Sequence, residues 1–508
     1  MSTISLSMIV KNEEKLLREC LQSVKDVVDE IIIVDTGSTD NTIQIAESFG
    51  ASVYQHKWNN DFSEARNYSL SKVTSDWVLY LDADERLDAS AKHLLKKLTS
   101  NRDKIGYRCK IYNVDEINKK PKLQRYTRLF RNIKGIRFSG KAHEQIDDSL
   151  FAHGCKIQNS ELLINHYGYN IDKEGLKQKA KRNLDLLLLD YQNNPSGYCA
   201  FQIANSYSIL NDLANTFNYH SLAIKDDSLP DEYKSISYSS VADYYQQNNN
   251  LGEALTNIDN SIKCNPENII ANLTASEVYS KMGKNIEAVS FCISAYELNK
   301  KYSTAKSTNK LLDIYVDEEK ILYHGLHISY KLNDQTGIEY FFNHLEDYRS
   351  NQKQYWKKEL HIIQMLSSNS ILTFEDIQLV DEIITDNSFN FYFQLLEFYS
   401  QIDSRLLIEK KLLEKFPDNI KLYNRYAADL NSEGNIDQAI RFLEDATKKF
   451  SSEASIIIYL ISLYLQNKEF DKLDQFISRT KQNNSQNKKL IEHLNTIEQK
   501  IYSAINKN

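Results

Sequence analysis

The sequence predicts an α/β domain built on a parallel sheet, followed by an all-helical repeat region. Up to about residue 90, short β-branched runs alternate with amphipathic stretches, the pattern of strands joined by helical crossovers. From about residue 176 the strands vanish, and residues of like type recur 34 positions apart. A chain of 508 residues also suits two or three domains at roughly 150 residues each.

Ile4–Val10 reads as the first strand. Asn12 can cap the helix that follows, whose apolar positions Leu16, Leu17, Cys20, Leu21 and Val24 share one face. Residues 30–34 form a second apolar strand that ends at Asp35. Thr36-Gly37-Ser38-Thr39-Asp40 is a turn whose last residues can cap a helix from 41 to about 49, with Gly50 as its stop. That role explains Ser38 and Thr39 without nucleophilic chemistry. Val53 marks a short third strand, and a helix carrying Ala65, Arg66 and Asn67 follows. Residues 77–81 are the fourth strand, which runs directly into Asp82-Ala83-Asp84-Glu85.

In the second part, Tyr245, Ala254 and Pro266 are matched at an offset of 34 by Tyr279, Ala288 and Lys300, while Gly252 meets Ile286. Near the C-terminus Phe416, Leu430, Gly434 and Ala439 pair in the same way with Phe450, Tyr464, Lys468 and Leu473. A helix–turn–helix unit of this length is the period of tetratricopeptide-like repeats, each of which buries its apolar face by stacking on the next. Residues 301–400 are helical in pattern but irregular. The many tyrosines of the repeats read as core packing.

Composition narrows the function classes. The apolar run at 186–189 is far shorter than the ~18 to 20 residues of a membrane span, and Ile4–Val10 lacks the basic flank of a signal peptide, so a cytoplasmic address without a membrane span is expected. Six scattered cysteines with no C-x-x-C pair read as reduced thiols. A formal net charge of −7 argues against general nucleic-acid binding. Residues 96–141 nevertheless hold fifteen Lys and Arg against three Asp and Glu, a local +12. Such a block is either a solvated surface or an attractor for a phosphorylated ligand.

Asp35 and the pair Asp82/Asp84 stand just beyond the C-terminal ends of two apolar strands, the edge at which open α/β sheets bind ligands. A dinucleotide cofactor needs G-x-G-x-x-G after the first strand, and Val10-Lys11-Asn12-Glu13-Glu14 stands there instead. Asp-x-Asp suits a hard divalent cation, because two short carboxylates supply oxygens and leave positions for phosphate. Acids that merely cap the next helix give the same pattern.

Ser7-Met8-Ile9-Val10-Lys11-Asn12-Glu13-Glu14, Val34-Asp35-Thr36-Gly37-Ser38-Thr39-Asp40, Ala65-Arg66-Asn67 and Leu81-Asp82-Ala83-Asp84-Glu85 occur in this order. In combination they resemble the N-terminal half of family 2 glycosyltransferases of the GT-A fold, closely over about the first 90 residues and loosely to about residue 170. The resemblance implies a donor site in which Asp35 bonds the uracil of a UDP-sugar. Val10 joins it there, with Arg66 at the nucleotide, Asp82 on the ribose side and Asp84 ligating Mn²⁺ or Mg²⁺. A metal held by carboxylates neutralises the departing nucleoside diphosphate without a proton.

Further on, Arg128-Leu129-Phe130-Arg131-Asn132, Gly140-Lys141-Ala142-His143-Glu144 and His166-Tyr167-Gly168-Tyr169 are the candidates to supply the base, and the Arg-Leu-Phe-Arg and His-Glu pair resembles the subgroup of bacterial lipopolysaccharide-core glucosyltransferases and sublancin-type peptide glycosyltransferases. Glu144 is the expected base, with His143 orienting it or taking the role, because partial burial readily raises a carboxylate toward working pH. A salt bridge from Glu144 to a nearby arginine is the structural alternative. His166 resembles the histidine that closes the metal site in several GT-A enzymes, against the alternative of a satisfied core histidine. Arg128 and Arg131 are candidates to clamp diphosphate oxygens.

A sugar donor site needs no solenoid, so the repeats serve the acceptor, the oligomer or both, and a homodimer is compatible with the sequence. Fusion of a family 2 domain to such repeats resembles peptide S-glycosyltransferases of bacteriocin clusters and enzymes that decorate flagellin or other surface proteins. The leading expectation is an inverting, metal-dependent hexosyltransferase acting on a Ser, Thr or Cys side chain of a peptide or protein. A lipopolysaccharide or surface-polysaccharide transferase is the rival enzyme. A repeat scaffold with a decayed catalytic domain is the rival of another class, opposed by the joint survival of Asp35, Arg66, Asp82 and Asp84. The expected domains are 1–175 (GT-A), 176–300 (helical linker and repeats), 301–400 (irregular helices) and 401–508 (C-terminal repeats).

Overall fold

The computed structural model describes residues 2–113, 122–168, 173–304, 312–313, 316–485 and 487–505. Tyr169 and residues 114–121 of the basic segment lie outside the described residues. The chain divides into two compact units, Met1–Gly337 and Ile338–Asn508.

The first unit opens with β1 (Ile4–Val10), α1 (Leu17–Val24), β2 (Glu30–Asp35), α2 (Thr42–Ser48), β3 (Ser52–Gln55), α3 (Phe62–Leu70) and β4 (Trp77–Tyr80). β1 lies between β2 and β4, parallel to both, and β3 continues the parallel set beyond β2. β1, β2 and β4 are largely apolar runs because helices cover both faces, whereas the edge strand β3 is short and half-exposed. Leu17, Cys20, Leu21 and Val24 of α1 are all buried against Leu6, Met8 and Leu79. Asn12 does not cap α1. It adopts φ 56°, which Asn tolerates better than other side chains, and its Oδ1 accepts the Thr39 N–H at 2.8 Å, tying the end of β1 to the turn after β2.

The sheet then changes direction. β5 (Glu85–Leu87), α4 (Ala91–Thr99), β6 (Ile105–Asn113), β7 (Lys122–Arg131), α5 (Asp147–Ala152) and β8 (Lys156–His166) follow. β7 is antiparallel to β4 and β6, β8 is parallel to β6, and β5 closes the far edge against β8. The full order is β3-β2-β1-β4-β7-β6-β8-β5, with the short β9 (Leu312–Asp313) beside β7. Cations of the basic segment pair with acids from other elements: Arg125 and Lys110 with Glu161, Arg108 with Asp147. Those on the strands are thus woven into the sheet, while Lys96, Lys97, Arg102, Lys104, Lys134 and Arg137 stay exposed as a solvated face.

After β8 come α6 (Lys173–Asn193) and α7 (Gly197–Ile209), the first of a series of antiparallel helices. Leu251–Cys264 and Asn285–Thr304 begin 34 residues apart, as do Ile420–Ser432 and Ala454–Gln466 in the second unit. Small and branched residues fill the contacts: Ala254, Ile258, Ala275 and Val278 in the first unit, Ala439, Ile440, Leu443 and Ile456 in the second. One junction of the first unit is polar. Ser235 and Ser239 on Asp231–Gln247, Ser261 on Leu251–Cys264, and Asn268 capping Ile269–Lys281 are buried and mutually hydrogen-bonded at 2.8 to 3.2 Å. Among the described residues no helix is long and apolar enough to cross a membrane.

Candidate active site

The C-terminal ends of β1, β2 and β4 bring the expected donor residues to one sheet edge. Val10 is buried, and its carbonyl accepts the Thr36 N–H at 3.0 Å and the Thr36 hydroxyl at 3.1 Å. Asp35 is 2% exposed. Its carboxylate accepts the N–H groups of Gly37 at 3.0 Å and Ser38 at 3.1 Å, which fixes the direction of the side chain.

Arg66 is the centre of the arrangement. Asp61 caps α3 by accepting the Glu64 N–H at 3.0 Å, and one turn on the helix points Arg66 into the site, 6% exposed. Its Nη2 donates to Asp82 Oδ1 at 2.6 Å, and its Nε donates to Glu144 Oε1. Arg128 of β7 donates to Glu85 Oε1 at 2.6 Å and lies 3.5 Å from Asp82 Oδ2. Both guanidinium groups stack on Tyr80, at 5.0 and 4.3 Å from the ring centroid. Burial opposes the charge of Asp82, but Arg66 and Arg128 outweigh it and hold the carboxyl well below its usual range. For Arg66 burial is likewise outweighed, by Asp82 and Glu144. Arg131 lies apart, at the other end of β4 beside Asp76 and Trp77.

Asp84 stands two residues on. Its Oδ1 is buried with no hydrogen-bond partner, while Oδ2 is 3.2 Å from His166 Nε2. The other ring nitrogen, Nδ1, is 2.7 Å from Asn113 Oδ1, a carboxamide that orients the imidazole. Desolvation would lower the His166 pKa, but the hydrogen bond and charge of Asp84 raise it above the ordinary value. Glu13 also faces this acid group: burial first, then Asp84, Asp82 and Asp40, push its carboxyl up to about 7. A divalent cation fits here, because a buried carboxylate oxygen without a partner and an oriented imidazole are what such an ion takes as ligands. Among the described residues no three His, Cys, Asp or Glu side chains converge to hold a metal alone, so phosphate oxygens or water would complete the shell.

Glu144 and His143 lie on a loop closed by the Ser139–Gln145 bridge. His143 is at φ 54° and is exposed. Desolvation nevertheless lowers its pKa, with Lys179 and Arg182 of α6 acting the same way and Glu144 opposing them. The structure therefore brings Arg66, Asp82, Arg128 and Glu144 into one network and Asp84 and His166 into a second beside it. Tyr80, Glu13 and Asn113 join them without having been singled out. Tyr80 reads as an ordinary strand aromatic, and Asn113 acquires its meaning only from a partner 53 residues away.

Residues 5–166 match the family described as Glycosyl transferase family 2. A TPR repeat-containing protein of Synechococcus elongatus is 38% identical over 200 residues, 38% of this chain and 49% of that protein. The SPbeta prophage-derived glycosyltransferase SunS of Bacillus subtilis is 32% identical over 195 residues, 36% of this chain and 44% of that protein. The matches thus span about half of these relatives or less. A solved structure of glucosyl-3-phosphoglycerate synthase from Mycobacterium tuberculosis with Mn²⁺, uridine diphosphate and glucosyl-3-phosphoglycerate aligns at 25% identity and a TM-score of 0.19, over 22% of this chain and 44% of that one.

Proposed function

We propose that this protein, whose N-terminal domain is a family 2 glycosyltransferase domain, transfers a hexose with inversion from a UDP-sugar to a Ser, Thr or Cys side chain of a peptide or protein. The observation that carries the reading is the buried, unpartnered Oδ1 of Asp84 beside His166 at the ligand-binding edge of the sheet.

In this reading Asp35 and the backbone at Val10 receive the uracil, Arg66 and Asp82 fix the nucleotide, and Arg128 faces the diphosphate. Asp84 and His166 would hold Mn²⁺ or Mg²⁺, which when bound neutralises charge on the leaving diphosphate. The acceptor oxygen or sulfur bonds to the anomeric carbon as the bond to the diphosphate oxygen breaks. UDP leaves with that electron pair, and the acceptor proton passes to Glu144. Arg66 holds Glu144 and Asp82 at once, so base and donor are set at a fixed separation, which is how positioning lowers a barrier. His143 borders Glu144 and orients it or takes the base role itself.

The peptide acceptor rests on the helical repeats, whose stacked pairs form extended surfaces. We read the domains as 1–175 for the donor, 176–300 and 401–508 as repeats and 301–400 as the irregular stretch, with the acceptor bound by the repeats, in a cytoplasmic setting that supplies UDP-sugars.

The test is UDP release from UDP-glucose, UDP-galactose and UDP-N-acetylglucosamine by the purified full chain, with Mn²⁺ and with chelator. One donor should be cleaved only with metal, and Asp84→Ala should lose both turnover and metal-dependent UDP binding. Cleavage that persists in chelator would overturn the metal site. A folded chain that binds no donor would return the protein to the scaffold class.

A further inference from the structure

The loop bearing His143 and Glu144 is held from two sides. From α3, the Phe62 N–H donates to the Lys141 carbonyl at 3.0 Å, and the Ser63 hydroxyl to the Gly140 carbonyl at 2.6 Å. From the opposite side the contacts come from the helices that begin the repeat region. Asp190 of α6 accepts the Lys141 N–H on Oδ2 at 3.0 Å. Tyr198 of α7 accepts from Gln145 Nε2 at 2.8 Å, and the same amide nitrogen reaches back to the His143 and Glu144 carbonyls at 3.1 and 3.3 Å. Between these bonds Ala142, 4% exposed, is packed with Leu184 and Leu187 of α6 and Cys199 and Ile203 of α7.

We propose that Asp190 and Tyr198 are positioning residues for Glu144, so that the α6–α7 hairpin completes the catalytic site although it lies beyond residues 5–166. A loop with left-handed backbone at Gly140 and His143 has few local bonds to define it, and a misplacement of about 1 Å in a reacting group costs up to ~100-fold in rate. The Asp190 carboxylate supplies an acceptor of fixed position for the backbone on one flank of Glu144, and the Tyr198 hydroxyl supplies one for the Gln145 side-chain amide on the other. Arg66 then fixes the carboxylate itself. The consequence is a direct mechanical link from the repeat helices to the base, through one backbone N–H and one side-chain amide.

The inference rests on Glu144 acting in the reaction, and its test separates the two. In the full chain, Asp190→Ala should lower kcat by about 10- to 100-fold, while the donor KM and the affinity for UDP with Mn²⁺ change less than about twofold. Asp190→Asn, whose carboxamide oxygen can still accept the Lys141 N–H, should restore most of the rate, and Tyr198→Phe should show a smaller kcat loss of the same kind. Hydrogen exchange should rise at residues 139–145 in Asp190→Ala. Wild-type kcat in Asp190→Ala, or a loss that Asn does not rescue, would overturn the positioning role. Wild-type turnover in Glu144→Gln would instead overturn the base and this inference with it.

Discussion

Gly168 lacks a side chain, and there is no room for one: a Cβ there would overlap Asp84 Oδ2 and come within 2.7 Å of His166 Nε2. Gly168→Ala must therefore push one of the two aside. Its expected effect is a drop of about 10- to 100-fold in Mn²⁺-dependent UDP affinity, the size seen when groups behind metal ligands are disturbed; unchanged affinity in calorimetry would mean that the pair is not the cation site. His220 gives a pH prediction away from the chemistry. It is 1% exposed, with Nδ1 3.1 Å from the Ser237 hydroxyl and its ring edge-on to Phe201, and burial lowers its pKa to about 4. Above the unfolded value near 6.5 both states are neutral and its contribution is whole. As pH falls, the unfolded chain takes up a proton that the folded one refuses, so on the order of 3 kcal/mol is lost between about pH 6.5 and 4. Urea titrations across that range should show a shallower decline in His220→Gln.

The element that aims Arg66 is α3, and its start is set by Asp61. Asp61→Ala removes the cap and should lower stability by about 1 kcal/mol in urea unfolding; no change would mean that the helix start is held by Phe62 and Ser63 through the 139–145 loop instead. The strands β1, β2 and β4 were legible because parallel strands covered on both faces are largely apolar runs, and the acid that ends β2 and those that follow β4 stand out against them. β6 to β8 were not. Lys110 at 8% and Arg125 at 2% exposure break the apolar pattern of their strands, and their partner Glu161 lies 51 and 36 residues further on. A row of cations without its counter-charge reads as surface. The repeat period was legible where packing constrains it, since Ala254 and Ala288 are both fully buried. It failed where nothing constrains it: a Cβ at Gly252 would meet open space, and its counterpart Ile286 is 84% exposed.

At the scale of the whole molecule each compact unit carries its own buried polar ties. In the unit Ile338–Asn508, Arg405 grips Asp429 with two bonds of 2.5 and 2.6 Å, beside Glu409, which is fully buried and 2.9 Å from Arg425 Nε. Asp429→Ala strands Arg405 in that setting, and the expected cost is about 3 to 5 kcal/mol, read as faster hydrogen exchange in Ile402–Lys415 and Ile420–Ser432. Protection equal to that of the wild type would show that Glu409 takes over as partner. In the unit Met1–Gly337, the knot of Ser235, Ser239, Ser261 and Asn268 has a different kind of effect. Apolar stacks of similar repeats accept any neighbour of matching size, so a solenoid assembled from near-copies can skip a unit and still bury its carbon. These hydroxyls and the carboxamide close only on one another. A stack that skipped this pair would bury unsatisfied groups at about 1 to 3 kcal/mol each, so the knot works as an address written into the array, telling one pair of helices which pair comes next.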